Sequence, residues 1–291
     1  MNTRSRLTLL LLFFLGSQLT AQMELPRKSP RASVSYTIAY TTVDIDYSSP
    51  AVKGRSIWGE LEPYNQLWRA GANEATTIEF STPVRVEGKS LPQGKYAFFL
   101  IPKDEGKWTA IFNKDADQWG AYSYDKEKDV LRVEVGVQES KVNEERLNYT
   151  VVEQEIDQGY IRLGWGHTRV YIRFQSDLLN QLESQLNTTL LQTPEEDRWK
   201  TYAQAADLLS ESRKYGKQAL AYADESTNLF NHSSNWWIKA RIQASMEDYK
   251  GAVESAKKAA EAGQADEKDR FYRNTKSRIE RMVADWEAKS R

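Results

Sequence analysis

From Ser33 to Phe174 apolar and polar positions tend to alternate, and after Phe174 the apolar ones recur every three or four residues. The first period suits half-buried strands and the second suits amphipathic helices. Thr42–Tyr47 alternates cleanly, with Val43, Ile45 and Tyr47 on one face and Asp44 and Asp46 on the other. Thr76–Phe80 and Val84–Glu87 continue the theme, and Gly88-Lys89 and Leu91-Pro92-Gln93-Gly94 are turn signals. Lys95–Ile101, KYAFFLI, is apolar almost throughout, which predicts a central strand covered on both faces. Lys107–Phe112, Val130–Val137, Leu147–Ile156, Tyr160–Trp165 and Thr168–Phe174 complete the set, with Gly164–Thr168 read as a hairpin turn. About ten short strands spaced by turns predict an antiparallel β-sandwich, here over residues 29–175. No strand–helix–strand crossover and no Gly-rich phosphate loop is visible, which argues against nucleotide chemistry.

Residues 176–291 read as an all-α domain. Asp177–Leu191 carries Leu178, Leu179, Leu182, Leu186 and Leu190 on one stripe. Thr193-Pro194-Glu195-Glu196 has the form of a helix start, with Thr193 as cap, Pro194 at the first position and Glu196 closing a capping box. Two similar units follow: Tyr202 and Ala206 precede Tyr215, Ala219 and Ala223, while Trp236 and Ala240 precede Tyr249, Ala252, Ala256 and Ala259. Tyr202 to Trp236 is 34 residues and Ala219 to Ala252 is 33. That period, with small residues at helix crossings, is tetratricopeptide-like, although the Leu-Gly pair and the closing Pro of the consensus are missing. A last helix over Ala265–Lys289 puts Phe271, Ile279, Met282 and Trp286 on one face and a row of Arg and Lys on the other. Two repeats are few for independent stability, so the helices are expected to lean on the front domain or on the Leu-rich helix.

The N-terminus adds a location. Arg4 and Arg6 precede an apolar core at Leu7–Leu15, and Ser17–Ala21 is small and polar. This predicts a signal peptide over residues 1–21, cleaved after Ala21, and a periplasmic or secreted protein with no transmembrane segment after cleavage. Losing two arginines takes the formal net charge from −1 to −3. A near-neutral, interspersed surface argues against nucleic acid as a partner. The chain has no cysteine, so disulfides, thiol nucleophiles and Cys-ligated metals are all excluded.

Candidate chemistry concentrates in two aperiodic stretches, Trp58–Thr76 and Phe112–Asp125. In the first, Gly71 allows a tight bend and Asn73 tolerates a left-handed backbone, so Arg69 and Glu74 could converge on a polar ligand, or simply pair and lock the loop. In the second, Asn113, Gln118, Trp119 and Tyr122 mix amides and aromatics, which suits either a sugar or peptide site or a well-packed Ω-loop. Asp44 and Asp46 read as the wet face of a strand. His167 and His232, the only histidines, fall in different domains and argue against a zinc site. No Gly-x-Ser-x-Gly elbow is present, and nothing implies a cofactor.

Several of these motifs occur together in one family. They are Ser29-Pro30-Arg31-Ala32, Asp46-Tyr47-Ser48-Ser49-Pro50, Lys53-Gly54-Arg55, Leu67-Trp68-Arg69, Gly71-Ala72-Asn73-Glu74-Ala75-Thr76, Leu91–Tyr96, Trp108 with Ile111-Phe112-Asn113, and Gln118–Tyr122. Residues 29–174 resemble the bacterial family called domain of unknown function 2911, found largely in secreted proteins of Bacteroidetes. Ser49 stands where that family often has Arg, Ala51 where Gly is common, and His167 where an acid is usual. The resemblance implies export and a β-rich fold and supplies no activity. The expectation is therefore a non-catalytic ligand-binding and protein-interaction module. Arg69, Asn73, Glu74, Asn113, Trp119 and Tyr122 would hold a glycan or peptide, and the helices would dock a protein. The alternatives are a hydrolase of envelope glycans or peptides using Glu74, and a purely structural envelope protein.

Overall fold

A computed structural model describes residues 25–291; the expected leader at 1–21 lies outside the described residues. Nine antiparallel strands come first: β1 Arg31–Ile38, β2 Thr41–Ser48, β3 Thr76–Phe80, β4 Val84–Val86, β5 Lys89–Leu91, β6 Gly94–Ile101, β7 Trp108–Asn113, β8 Asp129–Glu155 and β9 Gln158–Ser176. Six helices follow: α1 Leu178–Gln192, α2 Arg198–Leu209, α3 Gly216–Leu229, α4 Ser233–Ser245, α5 Tyr249–Ala265 and α6 Arg270–Lys289. Sheet then helices is the order the two periodicities predict. Among the described residues no helix is long and apolar enough to cross a membrane.

The strands form one continuous sheet in the order β1-β2-β3-β6-β7-β8-β9-β4-β5. Strand β8 carries the sheet around. Its first part, Asp129–Val135, pairs with β7, and the rest pairs with β9 from Gly136 onward. One core, running from Ile38 on β1 through Val43 and Ile45 on β2 to Val170, Ile172 and Phe174 on β9, collects inward residues of all nine strands. The sequence divides this region into four short strands, and the structure joins them into two long ones. Gly164–Thr168 is not a hairpin turn but the middle of β9. There Gly166 takes φ +58° and the register against β8 slips on either side of Glu144. Glu144 reaches Arg162 at 3.2 Å and the buried Arg169 at 3.1 Å, so the irregularity is held by charge as well as by backbone.

Strand β6 is covered on both faces, as its apolar run predicts. Tyr96, Phe98 and Leu100 face the main core, while Ala97 and Phe99 pack with Ile111 and Ala75 under Leu67, Ala121 and Tyr124. The second cluster roofs the sheet with the two aperiodic stretches, which fixes them to a rigid floor.

In the helical domain Ala206, Ala219, Ala223, Ala240, Ala252, Ala256 and Ala259 are fully buried, so small residues do mark the close helix crossings. Three expected details change. Thr193 does not cap α2: its hydroxyl donates to the Thr189 carbonyl of α1, and the capping box does not form. The last helix begins at Arg270, because Asp269 accepts from the Tyr272 amide and caps it there, while α5 runs on to Ala265. Tyr272, absent from the expected apolar face, is buried beside Ile279 and Trp286. His232 is the cap of α4, its Nδ1 accepting from the Ser234 amide.

The helices lean on the sheet through α1 and one carboxylate. Leu178, Leu182 and Leu186 pack into α2 and α3 beside Ala39 and Ile156 of the front domain. Asp157, in the β8–β9 turn, is fully buried. Its Oδ2 accepts from Gln175 at 2.7 Å, from Lys214 at 2.6 Å and from the Tyr215 hydroxyl at 2.5 Å. Burial pushes its carboxyl up, but the hydrogen bonds from Lys214, Tyr215 and Gln175 outweigh that and hold it below the usual aspartate range.

Candidate functional site

In the loop between β2 and β3, the segment from Arg69 to Glu74 turns on two left-handed residues, Ala70 at φ +51° and Asn73 at φ +58°. Gly71 is required for a different reason from the expected bend. A Cβ there would lie 2.7 Å from Thr76 Oγ1 and 3.2 Å from the Ser48 carbonyl, so only glycine lets this loop press against the end of β2. Asn73 donates to the Ser29 carbonyl at 3.2 Å and Ser48 Oγ at 3.1 Å, and its own carbonyl accepts from Gly120 at 3.0 Å. It thereby ties together the N-terminal strap, β2 and the second aperiodic stretch.

That second stretch, residues 114–125, hangs on Asn113. Asn113 is fully buried and uses both ends of its amide. Its Nδ2 donates to the Asp125 carbonyl at 2.9 Å and to Asp129 at 2.8 Å, and its Oδ1 accepts from the Asp115 amide at 3.0 Å. Nothing of its polar surface is left for a ligand. Asn113 is therefore a positioning residue used in the Ω-loop packing, whereas Asn73 engages only its Nδ2.

Arg69 and Glu74 do not converge. Glu74 binds Arg27 through both carboxylate oxygens, at 2.8 and 2.9 Å, and forms a backbone bridge with Trp119. Its own backbone amide and the Arg27 ion pair outweigh partial burial and hold its carboxyl below the usual range. A carboxylate held ionised in this way has no proton to donate, so Glu74 is poorly suited to act as the acid of a hydrolase.

Two clefts flank the segment from Arg69 to Glu74. The first, about 350 Å³, is lined by Arg31, Asp46, Ser48, Glu74, Thr77, Lys95, Asp117, Gln118 and Trp119. Gln118 is 5% exposed. Its Nε2 donates to the Asp115 carbonyl at 2.6 Å, yet its Oε1 is buried with no hydrogen-bond partner among the described residues. Beside it Trp119 is 59% exposed. The other front-domain tryptophans are all packed together. Trp58 meets Trp68, Trp108 and Trp165 edge-on at 4.6–5.8 Å, and Trp68 stacks on Trp165 at 5.8 Å. Tyr122, 89% exposed, lies against Gly120 and lines neither of these two clefts.

The second cleft, about 260 Å³, takes Arg69 away from Glu74 and sets it with Glu62, Arg55, Lys53, Lys28 and Trp165. Sequence reading passed over Glu62, which gave no signal beyond its place in a dense motif. Burial pushes its carboxyl up to about 7, against the opposing pull of Arg69, Trp68 and Arg55. A carboxylate raised in the folded state binds a proton the unfolded chain has lost, so its contribution is full below the ordinary carboxylate range and disappears as pH rises through about 7. Glu62→Gln is therefore expected to raise stability by about 1–3 kcal/mol at pH 8 and to change little at pH 4. Urea titrations at the two pH values measure this difference.

Among the described residues no three His, Cys, Asp or Glu side chains gather as a metal site would need. His167 is exposed on β9, its Nδ1 2.9 Å from the Ser140 carbonyl.

The model of the family "Protein of unknown function (DUF2911)" matches residues 29–174. The chain belongs to the DUF2911 family. A search of curated proteins finds no match. The DUF2911 match covers the sheet domain almost to the last strand residue and every lining residue of the two clefts except Lys28, and the six helices lie beyond it. Two of the motif segments within the DUF2911 match, Gly71–Thr76 and Gln118–Tyr122, meet at the Trp119 cleft.

Proposed function

We propose that this chain is an exported, non-catalytic binding module whose ligand seats in the cleft beside Trp119. The observation that carries this reading is the pairing of Gln118 Oε1, a buried acceptor with no partner among the described residues, with an exposed indole in one concave site. An unpaired buried acceptor costs about 1–3 kcal/mol until a donor reaches it. A ligand that offers hydroxyl or amide hydrogens together with an apolar face meets both features, and that describes a glycan or a peptide. Arg31, Asp46 and Lys95 on the rim supply mixed charge for orientation, with Arg31 already 3.5 Å from Asp46.

The sheet doubling over one core supports the β-sandwich reading, and the buried alanines at helix crossings of similar spacing support the tetratricopeptide-like one. The helical domain, coupled to the sheet through Asp157, would present a protein partner at a fixed orientation to the ligand site. Export rests on the leader at 1–21. Mass measurement of the protein recovered from the periplasm or medium is expected to give Gln22 as its first residue, and retention of an intact N-terminus in the cytoplasm would overturn export.

The ligand reading is tested with Trp119→Ala. This side chain is exposed, so its loss should leave folding within about 0.5 kcal/mol while weakening glycan or peptide binding by about 1–2 kcal/mol. Equal affinity of the two proteins would remove Trp119 from the site.

A further inference from the structure

The second cleft differs from the first in the sign of what it lacks. Arg69 Nε is buried with no hydrogen-bond partner among the described residues, and so is Trp165 Nε1. Both side chains line the same cleft, and Trp165 is only 1% exposed. Two buried donors without acceptors, about 1–3 kcal/mol each, are a costly arrangement for a protein to keep unless an acceptor visits. The charges around them agree. Lys28, Lys53, Arg55 and Arg69 line the cleft against the single acid Glu62. Burial raises that acid towards neutrality, to about 7, so near neutral pH it offers an incoming anion only part of a negative charge. Arg55 is partly committed, donating to the Val52 carbonyl at 3.0 Å and the Ala51 carbonyl at 2.6 Å, whereas no hydrogen bond to a described residue engages the Arg69 guanidinium. Trp165 is also held rigidly, stacked on Trp68, so its N–H is fixed in direction.

We infer that this cleft binds a small oxyanion group, with Arg69 and the Trp165 indole as its donors and Lys28 and Lys53 supplying the surrounding charge. A carboxylate and a phosphate both present the required acceptor oxygens, and an arginine fork suits either. The site is distinct from the Trp119 cleft. It uses other residues, and it donates hydrogen bonds to its ligand where the Trp119 cleft accepts one, so either site can fail without the other.

The test is calorimetric titration of the protein at low ionic strength with inorganic phosphate and, separately, with glucuronate, with the Trp indole N–H resonances followed in parallel. The expected result is saturable binding of at least one probe, weaker by about tenfold or more in Arg69→Gln, unchanged in Trp119→Ala, with the Trp165 indole N–H resonance moving on saturation. Binding of phosphate alone would assign a phosphoryl ligand, and binding of glucuronate alone a carboxylate. Binding of neither probe, equal binding by Arg69→Gln, or a Trp165 resonance that stays in place while a probe binds would overturn the inference. The resonance readout is taken on the unsubstituted protein, so it decides the matter even if Arg69→Gln does not fold.

Discussion

Asn113→Ala is expected to destabilise the sheet domain by about 3–4 kcal/mol and to abolish ligand binding at the Trp119 cleft. The amide is fully buried, and it satisfies the Asp125 carbonyl, one oxygen of Asp129 and the Asp115 amide at once. Alanine leaves these groups without that partner at a partly buried site. The effect should be local as well as global. Asp129 keeps Arg132 at 2.7 Å and the Tyr124 hydroxyl at 2.7 Å, so the far end of the loop remains tethered while residues 114–120 come loose. Amide hydrogen exchange would separate the two, with faster exchange in the Gln118–Gly120 amides than in β8. Unchanged stability and exchange would mean the loop is held by its apolar underside alone.

The second large effect is expected at the join between the domains. Asp157→Ala removes the shared acceptor of Gln175, Lys214 and Tyr215. Lys214 is 44% exposed and can return to water, but the Tyr215 hydroxyl is sealed in. A loss of about 2–3 kcal/mol follows, less than for a fully buried ion pair. The pH dependence gives a second check. The folded carboxyl sits below its ordinary value, so its stabilisation is present above the usual aspartate range and is lost only as pH falls through the lower folded value. The gap between the wild type and Asp157→Asn should therefore hold from neutral pH down to about 4 and close below it. Limited proteolysis should also cut Asp157→Ala between Ser176 and Leu178 sooner than the wild type. A variant that melts as the wild type does at pH 7 would mean that the leucines of α1 alone couple the domains.

The sequence made the element types legible because burial followed period. Val43, Ile45 and Tyr47 alternate and are buried, and the KYAFFLI run is covered on both faces. It could not reveal that β8 and β9 each continue through a slipped register. The residues there, Glu144, Arg162, Gly166 and Arg169, look like turn chemistry locally and are held straight by partners distant in sequence. Thr193 is a similar case, since its hydroxyl had two backbone options and packing chose α1.

The candidate site was legible as a place and not as a set of roles. Asn113 carried the right residue type for ligand capture, and its amide is taken up by Asp125, Asp129 and Asp115, while Asn73 spends its Nδ2 on Ser29 and Ser48. Trp119 could not be separated by sequence from four other front-domain tryptophans, because only tertiary packing decides which indole is left outside the cluster. Glu62 was missed because its shift comes from burial, which has no local sequence signature. Arg69 and Glu74, five positions apart, look like partners in the chain, and the two left-handed residues between them send them to different clefts.

The most direct test of the binding account is a thermal-shift titration of the protein with a panel of envelope glycans and peptides, run beside Trp119→Ala. Binding to the folded state raises the melting temperature in proportion to the logarithm of ligand excess. The account predicts a concentration-dependent rise with at least one of these ligands that is lost or strongly reduced in Trp119→Ala, with the unliganded melting temperatures alike. A panel that leaves the melting temperature unmoved, or a rise that Trp119→Ala reproduces in full, would contradict it.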